Sequence, residues 1–333
     1  MAASKIFTMV DIAALVAALG GFAQKQQLVA RGARDLDLTL AVRTGEVTRA
    51  RQGWYTTLAA NNRAVQAVRV GGRLTGLALI HYLDGWVIDP PPLHVSVAHN
   101  AARMRTPTNR FRPLARRKGV VLHWDPPEVG THGLSWCVAL RDAIRAVILH
   151  ESFEQAVAVL DWALHSRLMD VADLERLVLT LPLELRAIAE WVDPNCESLP
   201  ESLSRTRFRI AGRHVTSQVR LETDERIDLV VDGEAGIEVD SRKHHADSFD
   251  RDRAKDITIT LAEFHGIRPS VRSVFSDWVR VEAAVDVALR RRGVPPPTKV
   301  QEFRPEGRRR IPQLRAQQDA RWAELLNFRK ARE

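Results

Sequence analysis

The chain has 333 residues, 45% hydrophobic and 27% charged, with a net charge of +8. That length is enough for two or three buried cores, and no run approaches the roughly 18 apolar residues of a membrane span. Two cysteines, Cys137 and Cys196, exclude a disulfide framework and a cysteine-based metal site, so a cytoplasmic protein is expected. The charge is uneven. Residues 1–130 hold 17 Lys/Arg against 8 Asp/Glu, residues 131–289 hold 19 against 28, and residues 290–333 hold 13 against 5. Basic ends suit a polyanion, and an acidic middle suits a bound cation.

The N-terminal apolar stretch has the look of a secretion signal, but Asp11 interrupts it. Apolar residues at 12, 15, 16 and 19 follow helical spacing instead. "MVDIAALVAALGG" therefore reads as a first helix stopped by Gly20–Gly21. "AQKQQLVARGA" reads as a second helix and "RDLDLTLAVRTGE" as a third, and "VTRARQGWYTT" reads as a hairpin around Gln52–Gly53. Three helices and a basic hairpin make a winged helix over residues 1–60, with Arg34, Arg43, Arg49 and Arg51 expected to meet DNA. Gly21, Leu28, Gly32 and Gly53-Trp54-Tyr55 in this stretch resemble the N-terminal domain of abortive-infection-type antitoxins and regulators.

Residues 61–194 read as a mixed connecting region. "NNRAVQAVRVGGRLTGLALIHYL" gives two helices about a Gly-Gly break, and "LHVSVAH" an alternating strand. A basic loop follows, with seven Arg/Lys between Arg103 and Lys118, enough for a phosphate-contacting patch. From 139 to 192 the periodicity is helical. No phosphate-binding glycine loop is present, and the histidines at 81, 94, 99 and 123 lack ligand spacing.

Residues 195–292 carry the chemistry. A helix begins at about Leu199 and stops at Gly212. "HVTSQVRL", "RIDLVV" and "GIEVD" are then three strands in succession. "DSFDRDRAKDITITLAEFHG" is a helix stopped by Gly266, "SVRSVFS" a last strand and "WVRVEAAVDVALRRRG" a closing helix. This α-β-β-β-α-β-α order is that of a restriction-endonuclease-like core, so the chain as a whole is expected to be a multi-domain α/β protein. A turn centred on Gly233 sets positions summing to 466 opposite each other, which pairs Asp228 with Glu238 at a Cβ separation of about 5 Å. Asp240 then points to the same face, because strand side chains repeat every two residues. Carboxylates held so close repel unless a cation lies between them, and oxygen ligands suit Mg²⁺ or Mn²⁺.

Glu201, Gln218, Arg226 with Asp228, Glu238-Val239-Asp240, His245 (or His244) and Phe249 through Asp256 match, in order, a known pattern. The segment resembles the very-short-patch-repair (Vsr)-like branch of the PD-(D/E)XK nucleases. The resemblance implies metal ligation by Asp228, Glu238 and Asp240, a base or phosphate contact at His245, and completion of the site by Glu201. It departs at Ser241, where the family has glycine, and Arg272 lies earlier than the family places an arginine. Glu201 also completes S-x-x-E with Ser198, a helix capping box, and "RDRAKD" also fits ion pairs along one helix.

Residues 293–333 form a Pro-rich linker, the basic "GRRRIP" and an amphipathic segment over 311–330, open either to DNA or to a protein partner. The expected partner is double-stranded DNA, with a homodimer left open. Two activities compete: Mg²⁺-dependent endonuclease, or a regulator that binds DNA through the winged helix and a non-cleaving nuclease-like fold.

Overall fold

A computed structural model describes residues 10–115, 119–125, 133–240 and 249–297. It is a mixed α/β structure that divides into two compact units. Among the described residues, the first holds 10–84 and 89–146, and the second holds 85–88 and 147–297. No helix among them is long and apolar enough to cross a membrane.

The first unit opens with α1 (Ile12–Ala18), whose first turn is capped by the Asp11 carboxylate accepting from the Ala14 N–H at 2.8 Å. Strand β1 (Phe22–Gln24), α2 (Lys25–Val29), α3 (Asp35–Arg43), β2 (Thr48–Arg51) and β3 (Trp54–Thr56) follow. The three strands form an antiparallel sheet in the order β1-β3-β2. Strand β1 was not expected: three residues are too few to show a period. Ile12, Val16, Leu28, Leu38, Val47 and Tyr55 share one core, so the helices and the hairpin fold around the apolar side of α1. Beyond them lie α4 (Arg63–Val70), β4 (Arg73–Leu74), α5 (Gly76–Tyr82), β5 (Leu93–Ala98) and β6 (Val120–Asp125). Strand β6 runs parallel to β5, and His94 Nδ1 lies 3.1 Å from His123 Nε2 in the buried space beside them.

In the second unit α7 (Phe153–His165), α8 (Val171–Leu179) and a 3-10 helix (Leu183–Trp191) lead to α9 (Leu199–Ile210); α6 (Leu140–His150) links the two units along the chain. Asp161 of α7, fully buried, accepts from Ser202 Oγ at 2.6 Å, from Arg205 at 3.0 Å and from the Asp193 N–H at 2.7 Å. A buried ion pair of this kind holds because its remaining lone pairs are also satisfied.

Next come β7 (Val215–Arg220), β8 (Arg226–Val231), β9 (Ala235–Ile237), α10 (Phe249–Leu261), β10 (His265–Ile267), α11 (Val271–Ser276) and α12 (Trp278–Arg291). The sheet order is β10-β9-β8-β7, with β10 parallel to β9 and the other pairs antiparallel. Phe208 of α9 and Val285 and Leu289 of α12 pack with Leu229, Val231 and Ile237; Ile259 of α10 packs with Ile227 and Val230. The sheet is thus buried between helices.

Two expectations fail here. "SVRSVFS" is helical, not a strand: Ser270 caps it, its Oγ accepting from the Ser273 N–H at 3.1 Å, and this local capping outweighs the β-branched residues. Gly266 does not stop α10, which ends at Leu261; it lies inside β10, and the left-handed residue after the helix is Glu263 at φ 66°.

Candidate functional site

The hairpin of β8 and β9 pairs Leu229 with Ile237, Val230 with Gly236 and Val231 with Ala235, each summing to 466. Gly233 makes the turn possible, at φ 74°. One step beyond the last pair lie Asp228 and Glu238. The Asp228 N–H donates to Glu238 Oε1 at 3.1 Å, and the Val239 N–H donates to Asp228 Oδ2 at 3.0 Å. On the other side β7 and β8 pair Ser217 with Leu229 and Val219 with Ile227. Gln218 falls between those pairs and breaks the ladder, held at a left-handed φ of 53°. The register therefore brings Gln218 of β7 and Asp228 of β8 to the same level, with Glu238 beside Asp228 just past the end of β9.

Glu201 joins them from α9. It is buried, and Gln218 Nε2 donates to its Oε2 at 3.1 Å. The same carboxylate also accepts from Ser198 Oγ at 2.6 Å and from the Glu197 N–H at 3.0 Å. Ser198 caps the helix, its Oγ accepting from the Glu201 N–H at 3.4 Å. The return bond to the Glu201 carboxylate comes from the Glu197 N–H rather than the Ser198 N–H, and these bonds engage the carboxylate that the nuclease pattern would use.

Electrostatics tie these acids together. Burial pushes the Glu238 carboxyl above the usual range, and the Asp228 charge adds to that; Lys255 opposes both. Burial also raises Asp228, against the Val239 N–H and the charges of Lys255 and Arg268. Glu201 is raised by burial first, with the Asp228 charge adding, against its hydrogen bonds to Ser198, Glu197 and Gln218. Each acid thus favours the protonated form more than it would in water.

Lys255 of α10 answers part of that charge, its Nζ meeting Glu238 Oε2 at 2.5 Å. Asp256 pairs instead with Arg268. Lys255 and Asp256 thus both find partners outside α10. Lys255 lies one turn before the buried Ile259, on the helix face that meets the sheet. That spacing is the signal which would have singled it out. Asp228 is not salt-bridged by Arg226, which pairs with Glu197 at 3.0 Å.

Asp240 is brought to the sheet edge, bridged to Ser270, but it is exposed, and among the described residues no ion pair holds its side chain. His244 and His245 lie outside the described residues. Among the described residues no three His, Cys, Asp or Glu side chains gather as a metal-ligand group. Asp228 and Glu238 are nevertheless fit for a hydrated Mg²⁺, which is held by one or two carboxylates with water and phosphate oxygens completing its shell.

No family model and no curated protein matches this chain.

The four arginines expected to meet DNA fall into different settings. Arg34 caps α3 and grips Asp37 through two bonds, Nε to Oδ2 at 2.9 Å and a terminal nitrogen to Oδ1 at 2.8 Å. Hydrogen bonding to Arg34 holds the Asp37 carboxyl down at about 2. Arg34 is thus tied to the start of α3, with its side chain still 46% exposed. Arg43, in the last turn of α3, is exposed. Arg49 and Arg51 are half-buried. Burial lowers the Arg51 guanidinium, and the Arg105 charge lowers it further. Arg49 lies over Tyr55, 5.9 Å from its ring centroid, and its carbonyl accepts from Arg110 at 2.8 Å. The hairpin arginines lie near the 103–114 loop, Arg49 by Arg110 and Arg51 by Arg105, and the register against β3 shifts between them.

Proposed function

We propose that this protein is a metal-dependent endodeoxyribonuclease. The observation that carries the reading is the half-buried Asp228 and the buried Glu238, placed side by side by the hairpin register and faced by the Lys255 ammonium. The strand order β10-β9-β8-β7 flanked by helices is compatible with a restriction-endonuclease-like core, and the three helices and three-stranded sheet of residues 12–56 are compatible with a winged helix.

Asp228 and Glu238 would hold Mg²⁺ or Mn²⁺, with Asp240 close enough in sequence to add a ligand. A divalent cation there would supply charge neutralisation at a phosphodiester oxygen and a more acidic water. The chain's own residues set the rest. Lys255 donates to Glu238, and it would turn from that carboxylate to a phosphate oxygen when an anion arrives. Gln218 and Ser198 fix Glu201, which steers its charge toward Asp228. The neighbouring backbone N–H groups of Asp228 and Val239 fix the two carboxylates before any ligand binds.

A second reading, a regulator that binds DNA without cutting it, has its own support. Both Glu201 oxygens accept hydrogen bonds, from Ser198, Glu197 and Gln218, and both Glu238 oxygens already have donors. Incubation with supercoiled plasmid and Mg²⁺ or Mn²⁺, beside an EDTA control, separates the two. Nicked or linear product only with metal supports the nuclease; bound, uncut plasmid supports the regulator.

A further inference from the structure

The arginines of the first unit are grouped more tightly than a solubilising surface requires. Arg49 of β2, Arg69 of α4 and Arg110 of the 103–114 loop line one cavity of 450 Å³, with Thr48, Asn109 and Phe111 around them. Arg69 ties the cavity wall together: its Nε donates to the Ala50 carbonyl at 3.2 Å, and one terminal nitrogen donates to the Ala60 and Pro107 carbonyls at 3.1 and 2.5 Å. Arg110 donates to the Arg49 carbonyl. No carboxylate is among the described residues that line this cavity.

Arg110 is close enough to both Arg49 and Arg69 for their charges to repel, and no carboxylate among the described lining residues answers them. Burial lowers Arg110, and the Arg49 charge lowers it further; burial lowers Arg69, and the Arg110 charge adds to that. The Arg49 Nε–H is buried and has no acceptor among the described residues. A buried donor without an acceptor and cations without an anion both cost stability, and one bound oxyanion answers both. Beside the cavity stands Phe111, 76% exposed, with the Arg110 guanidinium 4.8 Å from its ring centroid. An exposed aromatic ring next to a cationic cleft is the pairing that holds a base and its phosphate on an unpaired strand.

The geometry points to a phosphate site: the cleft of Arg49, Arg69 and Arg110 takes one phosphate of a nucleic-acid strand, and Phe111 stacks the adjoining unpaired base. This rests on the reading of the first unit as a nucleic-acid binder and adds the residues that would hold the strand, three of them outside the hairpin.

The test titrates the full chain with inorganic pyrophosphate by calorimetry, then competes it with a single-stranded oligodeoxynucleotide. Wild type should bind pyrophosphate, and Arg110→Gln should weaken that binding at least tenfold. The oligonucleotide should displace pyrophosphate, with Arg110→Gln lowering the salt slope of its binding by about one. Phe111→Ala, on an exposed side chain, should weaken oligonucleotide binding about fivefold and leave pyrophosphate unchanged; it carries the test should Arg110→Gln not fold. Pyrophosphate affinity that is absent in wild type, or equal in Arg110→Gln, overturns the site even if the protein binds DNA elsewhere. Pyrophosphate bound at Arg110 but not displaced by the oligonucleotide overturns the nucleic-acid assignment and with it the DNA-binding reading of this unit, leaving a site for free phosphate. Unchanged oligonucleotide affinity in Phe111→Ala overturns the stacking role.

Discussion

Replacing Asp228 by Asn tests whether the carboxylate pair is a liability tolerated for function or a strut of the fold. The amide keeps an oxygen for the Val239 N–H, so the hydrogen bond at 3.0 Å survives the change. What is lost is a charge. Two carboxylates about 5 Å apart repel by about 3 kcal/mol at an effective dielectric of about 20. Lys255 and Arg268 already offset part of this. The net expectation in EDTA at pH 7 is a variant about 1 kcal/mol more stable than wild type, read from urea or thermal melts of the full chain. Because burial and mutual charge raise Asp228, Glu238 and Glu201, the folded form takes up protons more readily than the unfolded chain. Their repulsion is relieved below the unfolded carboxylate range, near pH 4, and grows as pH rises through the raised folded values. The advantage of Asp228→Asn should therefore shrink as pH falls toward 4. Mg²⁺ should reverse the order by stabilising wild type more than the variant. A loss of 3 kcal/mol or more in EDTA, with no Mg²⁺ effect on wild type, would refute this reasoning and make Asp228 a structural acceptor.

Glu238→Gln should act with the opposite sign, costing about 1–2 kcal/mol in EDTA melts, because it deprives Lys255 of its carboxylate. Asp161→Asn should cost about 3 kcal/mol by urea melt, since it removes the nearer counter-charge of the buried Arg205 and leaves it Asp193, 4.0 Å from its Nε. Ser198→Ala should cost about 1 kcal/mol by removing the α9 cap, and Ser198→Thr should restore most of it. Asp37, held at about 2 by Arg34, contributes stability above the unfolded carboxylate range that is lost as pH falls through about 2. Asp37→Asn should accordingly flatten the acid limb of a melt followed on the first unit.

Much of the carboxylate site was legible because it depends on local rules. Gly233 sets the turn, the turn sets the register, and the register brings Asp228 beside Glu238. The Ser198 cap of S-x-x-E was legible for the same reason, and its hydroxyl's bond to Glu201 bears on that carboxylate's availability. Lys255 was missed because its role depends on which face of α10 meets the sheet, a tertiary fact carried by the buried Ile259 one turn later. "SVRSVFS" misled because Val271, Val274 and Phe275 suit a strand, while the Ser270 cap decides for a helix. Strands β1 and β10 are three residues each, too short to carry a period, and β6 was masked by the basic loop before it. The basic hairpin was found, but the placing of Arg49 and Arg51 near the 103–114 loop depends on packing against a segment about sixty residues away.

The central claim is that the carboxylates of the second unit cut DNA that the protein holds. An end-labelled duplex incubated with excess protein in Mg²⁺, with binding and cleavage read from the same samples, tests it most directly for wild type and Asp228→Asn. The account predicts metal-dependent strand cleavage by wild type, and a variant that binds the duplex as well while leaving it intact. Wild type that binds the duplex and leaves it whole in both Mg²⁺ and Mn²⁺, or a variant that cuts as fast as wild type, would contradict it.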